Sequence, residues 1–191
     1  MKHSPFKITI VRLFLLLLPL AVFAQKPDLF LLKTYTDQNV SAWFMSEKLD
    51  GVRAFWDGEK LISRSGKVFA APTFFTKDFP KHKLDGELWI KRAAFSEVVS
   101  IVNQKKPHQD WNKITYNIFE VPDAKGNLLQ RLQKVKESKF LKTIKQIKIE
   151  TKIELENYLK KVEKLGGEGL VIRDGSLEYY TGRNDNALKV K

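Results

Sequence analysis

The 191-residue sequence has no cysteine, so no disulfide braces the fold and no thiolate takes part in its chemistry. That absence suits an oxidising compartment, where a stray thiol is a liability. Long hydrophobic runs are missing as well. The longest, Leu13 to Ala24, falls short of the roughly 20 apolar residues that a membrane-spanning helix needs. Internal repeats and low-complexity linkers are absent, and the composition stays even after Gln25. A hydrophobic content of 43% over this length is enough for one globular domain with its own core, placed at residues 25 to 191. Acidic residues are the scarce charge: 22 Asp and Glu stand against 34 Lys and Arg, a formal net charge of +12.

What is present begins with a leader. Lys2, Lys7 and Arg12 precede the apolar run, which closes on Val22-Phe23-Ala24 before Gln25. Charged, apolar and small-residue regions in that order make a secretory signal peptide. Residues 1–24 are therefore expected to be cleaved after Ala24, leaving a periplasmic protein with no stable membrane association. Removing them takes away three positive charges and no negative ones, lowering the formal charge from +12 to +9. A small domain this basic favours a polyanionic partner, nucleic acid or an anionic surface, through counterion release and electrostatic steering. A lysine-rich surface kept for solubility alone is the plainer alternative.

The mature chain reads as mixed α+β, dominated by antiparallel sheet with a few covering helices. Phe55 and Trp56 run into Asp57-Gly58, Leu61 and Ile62 into Arg64-Ser65-Gly66, and Val68-Phe69 follow, the pattern of a meander with hairpin turns. Leu84 to Ile90 is a strand broken by Asp85-Gly86. Helical spacing links Phe95, Val98, Val99 and Val102, and Lys105 to Asp110 is a polar loop. Ile114, Tyr116 and Ile118 alternate with polar residues as a half-buried strand ending at Phe119-Glu120. Leu128 to Glu137 reads as a helix, and Ile147 with Ile149 as a strand. Thr151 and Glu154 form a capping box for a helix whose apolar face is Leu155, Leu159, Val162 and Leu165 and whose stop is Gly166-Gly167. Gly169 to Arg173 and Leu188 to Val190 complete the set as strands.

One stretch carries the chemistry: Ser46-Glu47-Lys48-Leu49-Asp50-Gly51-Val52-Arg53. A lysine held beside a tight turn can be stripped of water and act as a nucleophile, helped by nearby cations that favour the free amine. Taken alone, the segment is equally a hairpin bearing a surface lysine. Four further segments place charge where core is expected: Ser63-Arg64-Ser65-Gly66, Leu84-Asp85-Gly86-Glu87-Leu88, Glu168 through Arg173, and Leu188-Lys189-Val190-Lys191. Glu87 and Glu168 suit oxygen ligation of a hard cation. Lys189 and Lys191 alternate along a strand and point to one face, where with Arg53 and Arg64 they could grip phosphates. Phe119 is either core or a platform for a base.

In their chain order these segments resemble the nucleotidyltransferase motifs of ATP-dependent DNA ligases, a family related to RNA ligases and mRNA-capping enzymes, with K-x-D-G-x-R at Lys48 to Arg53 as its signature. The small bacterial members with a secretory leader are most similar. The resemblance implies an ATP-grasp-like α+β adenylation domain, antiparallel sheets with flanking helices around a nucleotide cleft. It implies ATP and Mg²⁺ as cofactors, nicked double-stranded DNA as partner, and a monomer acting in DNA repair, recombination or replication. It casts Lys48 as the residue that takes AMP. Glu47, Arg53, Arg64, Glu87, Phe119, Lys189 and Lys191 become nucleotide-binding, and Glu168 and Glu87 metal-binding.

Members of the family continue into an OB-fold domain after the strand corresponding to Lys189–Lys191, and no OB-fold segment is expected in this sequence. With a basic leaving-group motif missing, weak binding of ATP and nicked DNA, slow adenylation and poor sealing are expected, since one lost charge-stabilising donor costs roughly 3–4 kcal/mol. RNA ligase or capping-type chemistry, and a basic nucleic-acid-binding module without turnover, are the other readings. Cleavage after Ala24 predicts that protein expressed with its leader and recovered from the periplasmic fraction will show the intact mass of residues 25–191. Recovery of the full-length chain alone would oppose the leader assignment.

Overall fold

The chain runs β1 (Phe30–Thr34), β2 (Phe44–Glu47), β3 (Val52–Trp56), β4 (Leu61–Ser63), α1 (Thr73–Thr76), β5 (Leu84–Trp89), α2 (Phe95–Val102), a 3-10 turn (Gln109–Lys113), β6 (Thr115–Glu120), α3 (Leu128–Leu132), β7 (Leu141–Thr143), β8 (Ile147–Lys148), α4 (Lys152–Lys164), β9 (Leu170–Arg173) and β10 (Gly182–Val190). This computed structural model describes residues 26–191, so the leader assignment lies outside the described residues. The strands sort into two five-stranded sheets, one ordered β1-β10-β9-β2-β8 and the other β4-β3-β5-β6-β7.

Side-chain alternation explains why there are two sheets rather than one. Along β3, β5 and β6, the residues Ala54, Trp56, Leu84, Leu88, Tyr116 and Ile118 share a core with Phe75 of α1, Val98 and Ile101 of α2, Trp111 of the 3-10 turn and Leu128 of α3. In the other sheet Met45, Leu170, Ile172, Leu188 and Val190 pack against Leu155 and Val162 of α4. The intervening positions, Arg53, Glu87 and Phe119 on one sheet and Ser46, Val171, Arg173 and Lys189 on the other, turn toward a shared cavity. Each sheet thus has a helix-covered apolar face and a polar face, and the two polar faces meet.

Buried ions stitch that polar layer. Glu120, at the end of β6 and 2% exposed, accepts from Arg131 Nε at 2.7 Å and Nη2 at 2.8 Å. Arg173 of β9, from the other sheet, pairs with the same carboxylate at 3.2 Å. Burial alone would raise the Glu120 pKa, but hydrogen bonds and charge from the two guanidiniums outweigh it and hold it below the usual value. Arg131 also donates to the carbonyls of Gly126 and Leu177 at 2.6 and 2.8 Å.

The mixed α+β architecture agrees with the sequence pattern, with several corrections. Two pairings, β1 with β10 and β6 with β7, are parallel, both at sheet edges. Strand β1 was not anticipated and joins through an irregularity between Leu31 and Lys33. The Lys48 segment is not a hairpin, because β2 and β3 belong to different sheets. Asp85-Gly86 does not break β5; a register shift against β6 absorbs it. Helix α3 stops at Leu132, and tighter bonds from Lys134 and Val135 to the carbonyls of Arg131 and Leu132 carry Val135 into the core. Phe95 begins α2 but is exposed. At α4 only half the capping box forms: Thr151 accepts from Glu154, whose carboxylate turns to the Glu150 amide.

The stop of α4 is as expected. Gly166 and Gly167 donate to the carbonyls of Glu163 and Val162, closing the helix in a Schellman motif with Gly166 at φ 79°. A Cβ at Gly166 meets open space, whereas one at Gly169, φ 138°, would collide with the Val190 carbonyl. Gly166→Ala should therefore cost about 1 kcal/mol from backbone strain alone. Gly169→Ala should cost roughly 2–4 kcal/mol, because overpacking is added. Urea denaturation of the two variants checks the ranking.

Candidate active site

Lys48 follows the last residue of β2, and its amide donates to the Gly169 carbonyl at 2.9 Å, tying the segment to the start of β9. Its amine contacts a Glu168 carboxylate oxygen, and the other oxygen takes Lys191 Nζ at 2.6 Å. Burial would raise the Glu168 pKa, but hydrogen bonds from Lys191 and Lys48 prevail and keep it below the ordinary carboxylate value. Cations were expected around Lys48; the group touching its amine is this carboxylate, with Lys191 on its far side. Gly51 is also placed for a reason other than a turn. Its φ is not in the left-handed region, but a Cβ there would strike the Leu88 carbonyl of β5. The glycine lets the link lie directly on the opposite sheet.

The cleft between the sheets is a cavity of about 290 Å³. Of the residues singled out in the sequence, Glu47, Lys48, Arg53, Arg64, Glu87, Phe119 and Lys189 line it. Glu168 and Lys191 stand outside that lining and meet it through the Lys48 amine. Arg53 is heavily engaged: Nε and Nη2 donate to Asp85 at 3.0 and 2.6 Å, and Nη1 to the Phe30 carbonyl at 2.9 Å. Asp85 is fully buried, so this fork braces β3 to β5 across the cleft floor. The guanidinium also lies 4.7 Å from the Phe30 ring centroid and 5.2 Å from that of Phe119, and the two rings meet edge to face at 5.6 Å. Glu47 lines the cavity, yet its carboxylate is held by Arg92 at 2.8 and 2.7 Å.

Several lining residues escaped sequence reasoning. Arg173 donates to the Phe119 carbonyl at 3.0 Å, and Arg183 donates to the Leu32 carbonyl at 3.1 Å. Ser46, Ile144 and Gln146 complete the polar and apolar wall. An arginine closing the strand Leu170–Arg173 was a usable signal, because a charge there sits where core is expected. Nothing local marked Gln146, which enters the cleft only because the chain crosses between sheets at that point.

Among the described residues, no three His, Asp or Glu side chains cluster as a ready metal site. No described helix is long and apolar enough to cross a membrane.

Glu87 is a strongly perturbed carboxyl of the cleft. Burial pushes its pKa from 4.5 up to about 8, against the opposing pull of Arg53 and Lys48. Because the folded value is raised, the stabilising contribution is complete below 4.5 and declines as pH rises toward 8. At about 1.4 kcal/mol per pH unit, that loss is bounded at roughly 5 kcal/mol. Glu87→Gln should therefore match the parent protein at pH 4 and melt higher at pH 9, a difference that calorimetry across this range would register. Identical pH profiles for the two proteins would show that Glu87 is not held protonated.

No protein-family model matches the chain. A DNA ligase of Haemophilus influenzae is 41% identical over 170 residues, covering 86% of this chain and 63% of that protein, so the chain spans somewhat under two thirds of its length. A structure from a study of Lig E DNA ligases is 35% identical, covers 86% of this chain and 68% of its own, and superposes with a TM-score of 0.79. The Chlorella virus DNA ligase-adenylate, 21% identical, shares the fold with a TM-score of 0.72 over 86% of this chain and 69% of its own. With a relative that similar over that extent, the chain belongs to the DNA ligase family and has the adenylation-domain fold of its ATP-dependent members.

Proposed function

We propose that this protein is an ATP-dependent DNA ligase that takes AMP onto Lys48 and passes it to the 5′-phosphate of nicked duplex DNA. The observation that carries the proposal is the position of the Lys48 amine: fixed by Glu168 at the edge of an inter-sheet cleft into which Arg64, Arg183 and Lys189 also project. Attack by Nζ on the α-phosphorus forms an N–P bond and breaks the P–O bond to the β-phosphate. Pyrophosphate leaves, and the amine, attacking as the free base, gives up one of its two remaining protons to the Glu168 carboxylate beside it or to solvent. Cations around the leaving and transferred groups stabilise the charge that develops, the main requirement of phosphoryl-type transfer. The 5′-phosphate then takes AMP from the lysine, and the 3′-hydroxyl of the nick displaces AMP to close the strand.

The remaining roles follow from placement. Phe119, held edge-on by Phe30, offers a ring face to adenine, and Glu87, carrying its proton at neutral pH, can hydrogen-bond a ribose hydroxyl. Mg²⁺ usually keeps one or two carboxylates and takes its other ligands from phosphates and water. Glu168, a carboxylate held between Lys48 and Lys191, fits that pattern, Glu87 would join it only by giving up its proton, and the ion would supply charge neutralisation at the phosphates. The basic composition supports a nucleic-acid partner, and the leader pattern supports a periplasmic location. The protein is further proposed to act as a monomer with no stable membrane association once the leader is removed.

Incubation with ATP and Mg²⁺ should add the mass of one AMP to the intact protein, and peptide mapping should find it on Lys48. Lys48→Ala should lose the adduct completely, a fall of at least a thousandfold. An adduct on Lys48→Ala, or one formed with GTP in preference to ATP, would overturn the assignment.

A further inference from the structure

Glu47 ends β2 and Lys48 follows it, and the charged ends of the two side chains go to different partners. Lys48 goes to the cleft and Glu168, and the Glu47 carboxylate goes to Arg92. The Arg92–Glu47 contact is a two-point fork, Nε to Oε1 at 2.8 Å and Nη2 to Oε2 at 2.7 Å. Arg92 comes from the segment joining β5 to α2, and β5 belongs to the other sheet. The fork therefore spans the two sheets one residue before Lys48. Two features of the backbone accommodate it. Ala93, directly after Arg92, sits at φ 57°, a left-handed conformation that costs a non-glycine residue about 1–2 kcal/mol. Gly167 has no Cβ, and one there would come within 3.0 Å of Glu47 Oε1.

We propose that Arg92 is a positioning residue for Lys48: by gripping Glu47 it fixes the end of β2 so that the Lys48 amine faces the cleft. The proposal rests on Lys48 being the residue that takes AMP. A partly exposed ion pair contributes little to stability, whereas a two-point fork fixes direction as well as distance. Its effect should therefore fall on the rate of chemistry. Misplacing a reacting group by about 1 Å can cost 100-fold in rate.

The test uses the full chain with ATP and Mg²⁺, comparing the parent protein, Arg92→Ala, Arg92→Lys and the exchanged pair Glu47→Arg/Arg92→Glu, all well below their melting temperatures. Arg92→Ala should slow lysyl-AMP formation roughly 10- to 100-fold with the KM for ATP changed less than about twofold. Arg92→Lys, which keeps the charge but not the fork, should fall between, and the exchanged pair should recover part of the rate. A parent-like rate in Arg92→Ala, or a raised KM with an unchanged maximal rate, would overturn the proposal, the latter by making Arg92 a nucleotide contact. Mass-mapped acylation of Lys48 by an amine-reactive ester, without ATP, gives a second readout: the rate should differ between Arg92→Ala and the parent protein, and equal rates would count against positioning. If the parent protein forms no lysyl-AMP, the adenylation reading fails, while the acylation comparison still decides whether Arg92 orients Lys48.

Discussion

A carboxylate held between two guanidiniums joins the two halves of this protein. Glu120 ends a strand of one sheet, Arg173 ends a strand of the other, and Arg131 reaches the same carboxylate from α3 while also binding the loop carbonyl at Leu177. In an environment this buried, removing Glu120 would leave two guanidiniums without their carboxylate, and removing either arginine would leave Glu120 with a single partner and fewer hydrogen bonds, so the three residues depend on one another. Their geometry also reaches the cleft. Arg173 donates to the Phe119 carbonyl, which fixes the backbone beneath the ring that lines the cavity. The stitch between the sheets and the floor of the site are thus made from the same arginine.

The polar layer also explains why a cleft exists. Two sheets with apolar inner faces would close on each other into a sandwich. Here each sheet finds its apolar cover among helices, and the facing surfaces carry Arg53, Asp85, Glu87, Arg173 and Lys189, which remain apart or pair in specific forks. Arg53 is committed to Asp85 and Phe30, so it acts first as a brace. Arg64, Arg183 and Lys189 make no ion pair among the described residues and are the lining cations left for an anionic ligand.

Elements with a strong local period were legible in the sequence. Helix α4, with its Thr151 cap and glycine stop, and the β3–β4 hairpin around Asp57-Gly58 were read from spacing alone. What depends on distant partners was not. Strand β1 pairs parallel to β10, with nearly the whole chain between them and no turn to announce it. Helix α3 has a longer periodic pattern than helix because Val135 is needed in the core. In the site, the five charged segments were visible because each breaks an apolar pattern. How those charges pair was not, since Arg53 meets Asp85 and Glu47 meets Arg92 only where the fold brings separate segments near.

The chain passes between the sheets twice, at Lys48–Gly51 and at 144–146, and both passages line the cleft. Everything from β3 to β7 is one continuous stretch enclosed within the sequence of the first sheet. That stretch pairs mainly with itself and can form with short loops, whereas joining β2 to β9 requires the ends of a long loop to meet, at an entropic cost that grows with its length. The Lys48 site lies on that closure, so in a nascent chain whose second sheet is already complete Lys48 still lacks the Gly169 carbonyl and the Glu168 carboxylate that hold it until β9 arrives.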